Sequence, residues 1–181
     1  VNEIEFGMLT LSGTSATIVP TSNISGDFAV GYKVLDGSLF SEEATLSVHI
    51  LPVNDSPVIS TILDQTVNED ETFYYLISVS DVDSDNLSYS VNDIENAASS
   101  ISDQMLTVVP DPNYYGTLNI EITVSDGEYI DEESFLLEVL SVNDPPVLAD
   151  IDDQLSFEDE IFNMNISADD VDGDDLTFWV N

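Results

Sequence analysis

Apolar and polar residues alternate in several short stretches of this chain. In TLNIEITVSDG the apolar residues fall on every second position, at Leu118, Ile120, Ile122 and Val124, and SFLLEVLSVND repeats the pattern less regularly. A period of two is typical of strands with one buried face. YYLISVS and LSYSV show the same pattern, and prolines and Asp-Gly pairs mark turns between such stretches. No stretch favours an amphipathic helix, so the pattern predicts an all-β protein of antiparallel Greek-key β-sandwiches with about seven strands each.

The same pattern of residues occurs twice along the chain. Residues 62–91 align with residues 151–180 and share a glutamine, an acidic EDE triplet and a DVD triplet at matching positions. Residues 19–37 align with residues 109–127 through shared Pro, Asn, Gly and Asp-Gly positions. The period is about 90 residues, the size of one small β-sandwich, so we predict a linear tandem array.

Domain boundaries follow from a motif that recurs at this period. PVNDSPV at 52–58 returns as SVNDPPV at 141–147, and we interpret each copy as a joint between repeats. The chain then divides into the C-terminal part of one repeat at 1–56, a complete repeat at 57–145 and the N-terminal part of the next repeat at 146–181.

The first and last parts are complementary. Residues 1–53 carry the later strands of a repeat, whereas residues 148–181 carry the first strands and end on the equivalent of Val91-Asn92. A sandwich that lacks strands exposes its apolar face and its strand edges. We therefore expect both parts to be completed from outside, either by continuation of a longer chain or by a neighbouring copy stacked head to tail in a filament.

Charge narrows the classes of partner. The 181 residues include 37 acidic residues and one basic residue, Lys33, for a formal net charge of −36. Nucleic acids and anionic membrane surfaces bind through Lys and Arg clusters, so neither is an expected partner. So acidic a chain repels itself, and bound cations or high salt would offset the repulsion. No apolar run approaches the ~20 residues of a membrane helix, so no membrane insertion is expected in this segment.

Catalysis finds little support among the side chains. The chain has no cysteine and one histidine, His49, whereas nucleophilic catalysis and zinc chemistry depend on such residues. Paired carboxylates can hydrolyse glycosides. The acidic clusters here recur in each repeat, however, while an active site occurs once, so we predict that the protein is not an enzyme.

Four motifs together resemble bacterial cadherin-like tandem repeats, which occur in long secreted and surface-anchored proteins. These motifs are the VND joint, the EDE triplet, the DVDSDN loop and the PDPNYYG…VSDG hairpin, and the resemblance covers essentially the whole chain. It implies immunoglobulin-like sandwiches, an extracellular or cell-surface location, and Ca2+ bound where neighbouring repeats meet. In cadherins the joint reads Asp-x-Asn-Asp-Asn. Here it is shorter, Asn54-Asp55 and Asn143-Asp144, which puts the number of ions per joint in doubt.

The chemistry of calcium also follows from the residues themselves. Calcium takes six to eight oxygen ligands, and Asp, Asn and backbone carbonyls in short loops supply them. If the first and last strands of a sandwich run in the same direction, alternate loops lie at opposite poles, which sorts the acidic residues into two predicted sites. The first joint gathers Asn54, Asp55, Asp81, Asp83, Asp85 and Asp126, and it lacks a counterpart of the Glu69 cluster. The second joint gathers Glu69, Glu71, Asp111, Asn113, Asn143, Asp144, Asp170, Asp172 and Asp174.

Plainer interpretations stay open for several residues. Asp and Asn cap turns, so a single DVDSDN loop is more often an ordinary loop than a metal site. Acidic residues outside the clusters, such as Asp131–Glu133, are expected to be solvated surface. Tyr114 and Tyr115 offer a sugar-stacking platform, although the alternation around them favours core packing. His49 is expected at the surface, and we assign no function to Trp179.

Two functions therefore compete. The first is a calcium-stiffened structural segment of an extracellular adhesin stalk or fibre, whose partners are neighbouring repeats or head-to-tail copies. The second is a module that binds a carbohydrate, protein or cell-surface partner through exposed loops and aromatic residues. Both place the chain outside the cell or at its surface.

Overall fold

The structure, a computed structural model, describes residues 2–83 and 86–180. These residues form strands, turns and loops and contain no α-helix, which confirms the predicted all-β class. In this part of the chain there is accordingly no helix of the length and hydrophobicity that a membrane crossing requires. The chain divides into two compact units. One comprises Val1–Val58, Ser80–Leu87 and Ser125–Ile130, and the other comprises Ile59–Val79, Ser88–Val124 and Asp131–Asn181.

The first unit is built from two small antiparallel sheets. One is a meander of β1 (Asn2–Ile4), β2 (Gly7–Ser12) and β3 (Ser15–Pro20). The other pairs β4 (Gly26–Tyr32) with β5 (Ala44–Ile50), in a register that places Phe28 opposite Val48. Phe6 is buried, and its ring centroid lies 4.5 Å from that of Phe28. A short pair, β6 (Val58–Ile59) and β9 (Val79–Ser80), follows in the chain.

The second unit contains a β-sandwich. Its strands are β7 (Gln65–Asn68), β8 (Phe73–Leu76), β10 (Ser88–Val91), β11 (Ala97–Ser102), β12 (Met105–Pro110), β13 (Gly116–Ser125) and β14 (Ile130–Leu140). One sheet has the order β10-β13-β14-β7 and the other the order β11-β12-β8. β14 and β7 are parallel, with Val139 opposite Val67, so the first and last strands of the repeat run in the same direction. The assignment of the acidic loops to opposite poles of the sandwich assumed this parallel direction.

The core of the sandwich lies between these two sheets. Every second residue of β13 is buried, as the alternation predicts, at Leu118, Ile120, Ile122 and Val124. Phe135, Leu137 and Val139 of β14 are buried in the same sheet, and Leu106 and Val108 of β12 are buried in the other. The ring centroid of Phe135 lies 6.2 Å from that of Phe73 in β8, which joins the two layers. Each such side chain contributes about 1.5–3 kcal/mol through burial.

Residues 147–180 keep the turns of the complete repeat but few of its strands. Their strands are β15 (Val147–Leu148) and β16 (Ala168–Asp169), which pair with each other. The Ala149 N–H donates to the Ser167 carbonyl at 2.9 Å, as the Ser60 N–H donates to the Ser78 carbonyl in the complete repeat. The segment that is equivalent to β7, residues 154–157, forms no strand. The local turns are thus retained where the strand pairing is not.

Candidate metal centre

Glu69 is the buried acid of the second joint. It follows β7, and its N–H donates to the Leu140 carbonyl at 2.8 Å, which continues the pairing of β7 with β14. Its side chain is buried, with 4% of the residue exposed, and Oε1 accepts a hydrogen bond from the Val142 N–H at 2.6 Å. The pairing of β7 with β14 therefore places the Glu69 carboxylate next to Val142, just after the end of β14.

Asp144 and Asp172 join this carboxylate from two further segments. The Asp144 N–H donates to Asp172 Oδ2 at 2.6 Å, which ties the joint to the DVDGD loop. Within that loop the Asp172 and Asp174 N–H groups both donate to Asp170 Oδ1, at 3.1 and 3.2 Å. The loop is thus curled around the Asp170 side chain, and it presents the Asp172 carboxylate to the joint.

The three carboxylates of Glu69, Asp144 and Asp172 converge. One oxygen of each lies within 4.8 Å of the others. Two oxygens bound to one calcium at about 2.3–2.6 Å can lie at most about 5 Å apart, so this spacing suits a shared cation. Asp144 Oδ2 is buried and has no hydrogen-bond partner among the described residues. An anionic oxygen buried without a donor is costly, and a cation would satisfy it.

Electrostatics at Asp144 lead to the same conclusion. Burial raises the pKa of the Asp144 carboxyl, and the neighbouring charges of Asp70, Asp172, Glu69 and Asp170 raise it further. Like charges at this spacing disfavour ionisation, whereas a bound divalent cation would favour it. The donor set therefore fits a hard cation such as Ca2+.

The other residues predicted for the second joint make turn contacts and are not members of this converging trio. The Glu71 N–H donates to the Asn68 carbonyl at 3.3 Å, and the Asn143 side-chain amide donates to the Asp144 carbonyl at 3.2 Å. The Asp111 N–H donates to the Asn96 carbonyl, just before β11, at 2.8 Å, and the Asp111 carbonyl accepts a hydrogen bond from the Tyr114 N–H at 3.0 Å.

Asp70 is a participant that the sequence argument did not select. Its Oδ1 accepts a hydrogen bond from the Asn113 N–H at 3.1 Å, so it connects the two acidic loops at this pole. Asp70 and Asn113 both have positive φ angles, 61° and 58°. The signal in the sequence is the residue type, since Asp and Asn tolerate this conformation better than other residues that have a Cβ atom.

The first joint repeats part of this arrangement inside the first unit. The Asp55 N–H donates to Asp83 Oδ2 at 2.8 Å, and the Asp83 N–H donates to Asp81 Oδ1 at 2.8 Å. Asn54 donates its side-chain amide to Asp126 Oδ2 at 2.8 Å. Among the described residues, three acidic groups within ligand reach of one another occur at the second joint and not at the first. Asp85, also predicted here, lies outside the described residues.

Asp126 also serves as a turn cap. Its Oδ1 accepts hydrogen bonds from the Tyr129 and Glu128 N–H groups, both at 2.7 Å. These bonds lower the pKa of Asp126 below its ordinary value, with the Tyr129 N–H as the largest cause and the Glu128 N–H as the next. Asp126 Oδ1 therefore caps a turn, which is the ordinary role of Asp in such loops.

Two expectations about other residues are wrong. Asp131 and Glu133 are not simply solvated: they accept hydrogen bonds from the Ile59 and Ile62 N–H groups at 2.7 and 3.0 Å. They fix β6, through Ile59, and the loop that leads from β6 to β7, through Ile62. Core packing also fails for Tyr115, which is 63% exposed.

The remaining polar residues considered in the sequence have surface roles. The His49 ring lies 2.6 Å from Asp27 Oδ1, and Lys33 forms an ion pair with Glu43 at 3.4 Å. All four side chains are largely exposed. The surface position expected for His49 is confirmed.

Residues 54–133, less than half of the chain, match the family model of the bacterial Ig domain. No curated protein matches the sequence significantly. Among solved structures, mouse protocadherin-24 EC1-3 shares 12% identity and a TM-score of 0.51, over 91% of this chain and 63% of that chain. An endo-fucoidan hydrolase from glycoside hydrolase family 107 shares 16% identity and a TM-score of 0.41, over 78% of this chain and 23% of that chain. The titin domains z1z2 in complex with telethonin share 11% identity and a TM-score of 0.38, over 77% of this chain and 74% of that chain.

The chain thus spans less than two thirds of the protocadherin fragment and about a quarter of the hydrolase. At this level of identity the protocadherin likeness concerns the fold. Together with the family match and the two-sheet core, it shows that the chain has an immunoglobulin-like, cadherin-like β-sandwich fold.

Proposed function

We propose that this chain is a structural repeat segment of an extracellular or cell-surface protein, an adhesin stalk or fibre, whose joints are stiffened by bound Ca2+. One observation carries the proposal: the carboxylates of Glu69, Asp144 and Asp172 converge, and the buried Oδ2 of Asp144 has no donor among the residues that the structure describes. The fold supports the extracellular part, because bacterial Ig domains are typically surface or secreted modules.

A cation at this position would act as a mechanical link. Glu69 directly follows β7, Asp144 follows β14, and Asp172 lies in the loop after β16. Without a cation the three negative charges repel one another and the joint loosens. With Ca2+ the repulsion becomes attraction, and three segments are held by one ion.

The repetition of the contacts favours a structural role over catalysis. Asp55 bonds to Asp83 through the same backbone-to-carboxylate contact that joins Asp144 to Asp172. A contact that recurs at both joints suits a repeated link, whereas a catalytic centre is built once.

Calorimetry of the whole chain tests the metal. Extracellular calcium modules bind with dissociation constants of about 10⁻⁴–10⁻³ M. At about ten times that constant, one site adds roughly 1.4 kcal/mol to the free energy of unfolding. We expect Ca2+ to raise the melting temperature and a chelator to lower it. Asp144→Asn should abolish the difference, whereas the control Asp93→Asn, at an exposed loop position, should keep it. Identical transitions of the wild-type chain with chelator and with Ca2+ would remove the metal from the account.

Hydrogen exchange tests the assignment of loops to joints. Glu69→Ala removes the acceptor of the Val142 N–H, and Asp83→Ala removes the acceptor of the Asp55 N–H. We expect faster exchange near Asp144 in the first variant and near Asp55 in the second. The reverse pattern would show that the loops had been assigned to the wrong joints.

A second candidate function rests on Tyr115. Its outward position, in the loop that precedes β13, leaves an aromatic ring available for stacking on a sugar. Under this alternative the module would bind glycans, and Tyr115→Ala would weaken that binding at least tenfold. The matched control is Tyr74→Ala, since Tyr74 is equally exposed on β8. A glycan array on which the wild-type chain binds nothing would leave the structural role alone.

A further inference from the structure

The outer face of the sheet β11-β12-β8 carries no charged side chain. On the central strand β12, Thr107 lies opposite Tyr74 of β8 and Ser100 of β11. In the next row Met105 lies opposite Leu76, and Tyr74 and Leu76 are 64% and 63% exposed. The other outward residues of these strands, every one of which the structure describes, are Ala98, Ser102 and Val109. We call this surface of apolar and hydroxyl groups the uncharged face.

The uncharged face is the outer surface of a finished sandwich. The inner residues of the same strands are buried, among them Phe73 and Leu106. The outer face of the opposite sheet has a different character, since it carries exposed Glu121 on β13 and exposed Glu132 and Glu138 on β14. The acidic residues of this sandwich thus occupy one of its two outer faces and avoid the other.

The same absence of charge is found on the equivalent strands one repeat earlier. β2 and β3 correspond to β11 and β12 in the sequence repeat. On one side of this pair Met8 lies opposite Val19 and Thr10 lies opposite Thr17, and the last row pairs Ser12 with Ser15. None of the residues in these rows, which the structure describes in full, is acidic. The uncharged surface therefore recurs with the period of the repeat.

We propose that the uncharged face binds a second copy of this chain, through the same face of both copies. A surface that recurs with the repeat suits a partner that has the same repeat, and a second copy has it. Residues of this kind lie side by side across a two-fold axis when like faces meet. The exposed Tyr74 is the expected anchor, since exposed aromatic residues carry much of the binding energy of such contacts.

Charge also selects the second copy as the occupant. A basic partner would be attracted to the acidic surfaces and not to the one face without charge, and an anionic partner such as a nucleic acid is repelled by the net charge of −36. Two copies of the chain repel each other wherever their acidic surfaces meet. The uncharged face is the surface on which they can meet with least repulsion, and screening by salt should strengthen the contact.

The size of the face sets the expected strength. Three strands about 4.8 Å apart, each about 20 Å long, present roughly 300 Å² of flat area, and the relief of the side chains enlarges it. Two such faces would remove on the order of 1,000 Å² from water, which is typical of weak or transient complexes. We therefore expect dimers in exchange with monomers. This association goes beyond the proposed function, because it joins chains through their sheets and needs no cation.

Sedimentation of two matched charge variants at high salt tests the docking. Thr107→Glu places a carboxylate at the centre of the uncharged face. Thr123→Glu adds the same charge at an equally half-buried outward position of β13, in the opposite sheet. We expect the dissociation constant of the dimer to rise by about tenfold or more in the first variant and to stay near the wild-type value in the second. Circular dichroism checks that both variants are folded.

Disulfide trapping gives a second measurement that adds no charge. The chain has no cysteine, so a single introduced thiol can only form a disulfide with another copy. Like faces that meet near Thr107 bring two Thr107→Cys thiols together, whereas Thr123→Cys thiols meet only by collision. We expect disulfide dimers of Thr107→Cys to form about tenfold faster or more under mild oxidation.

Three results would overturn the docking. The first is a wild-type chain that stays monomeric at every protein and salt concentration, and the second is an equal response of the position 107 and position 123 variants. The third is a dimer that a chelator abolishes, because the uncharged face has no metal ligand. If the monomeric chain instead bound neutral glycans and lost them in Tyr74→Ala, the face would belong to a sugar and not to a second copy.

Discussion

Residues 59–91 and 148–180 are near copies in sequence and differ in structure. The first segment forms β7, β8 and β10, and each of these strands has a partner in the sandwich. The second segment has the same apolar periodicity but forms only short β-pairing, and its apolar side chains are exposed. The difference between them lies in the partner strands and not in their own residues.

The comparison separates local from non-local causes of structure. Asp70 and Asp159 adopt the same positive φ, 61° and 64°, and the carboxylates of Asp81 and Asp170 cap equivalent loops. These features need only neighbouring residues, and they are present in both segments. Strands need the backbone groups of another strand and a face to cover, and the second segment forms only the short pair of β15 with β16.

The largest effect is expected from a matched pair of core truncations. Ile77→Ala leaves a cavity in a packed core and should lower the free energy of unfolding by about 2–5 kcal/mol. Ile166→Ala acts at a half-exposed position and should cost less than about 1 kcal/mol in dilute solution. Urea denaturation monitored by circular dichroism measures both. Equal costs in dilute solution would mean that the two segments are packed alike.

The carboxylate that fixes β6 gives a smaller effect. Asp131→Ala deprives the buried Ile59 N–H of its acceptor, which should cost about 1–3 kcal/mol. The neighbouring Glu132→Ala removes an exposed charge of the same sign and should cost less than about 0.5 kcal/mol. If both variants had the same stability, the Asp131 hydrogen bond would make no net contribution.

The smallest expected effect is a lowered pKa at two equivalent turns, those of Asp36 and Asp126. The Leu39 and Ser38 N–H groups lower the pKa of Asp36, as equivalent N–H groups do for Asp126. A pKa that is lower in the folded than in the unfolded state contributes stability at neutral pH, and that stability is lost as pH falls through the folded-state value. NMR titration of the two carboxyl carbons should give depressed values for both. A normal value for Asp36 beside a depressed one for Asp126 would show that this turn is not formed locally.

Much of the fold follows from the sequence, and the reasons are physical. The alternation in β13 predicts its buried face because a strand in a two-layer sandwich has one wet side. The pairing of Asp144 with Asp172 is anticipated because the period and the strand directions bring those loops to one pole. The roles of Asp131 and Asp70 could not be predicted, because each depends on a backbone N–H supplied from more than 40 residues away.

The outward position of Tyr115 was missed for a different reason. A period of two tells inside from outside only within a regular strand, and Tyr115 lies in the turn before β13. Alternation cannot be extended through Asn113 and Gly116, because their positive φ angles, 58° and 143°, break the extended backbone on which the alternation depends.

Amide hydrogen exchange at residues 65–76 and 154–165 of the same chain tests the central claim most directly. The account predicts strong protection of the first segment, whose strands β7 and β8 are paired within the sandwich. It predicts fast exchange of the second segment, which has the same apolar periodicity but no paired strand. Equal protection of both segments would contradict the claim that partner strands separate them.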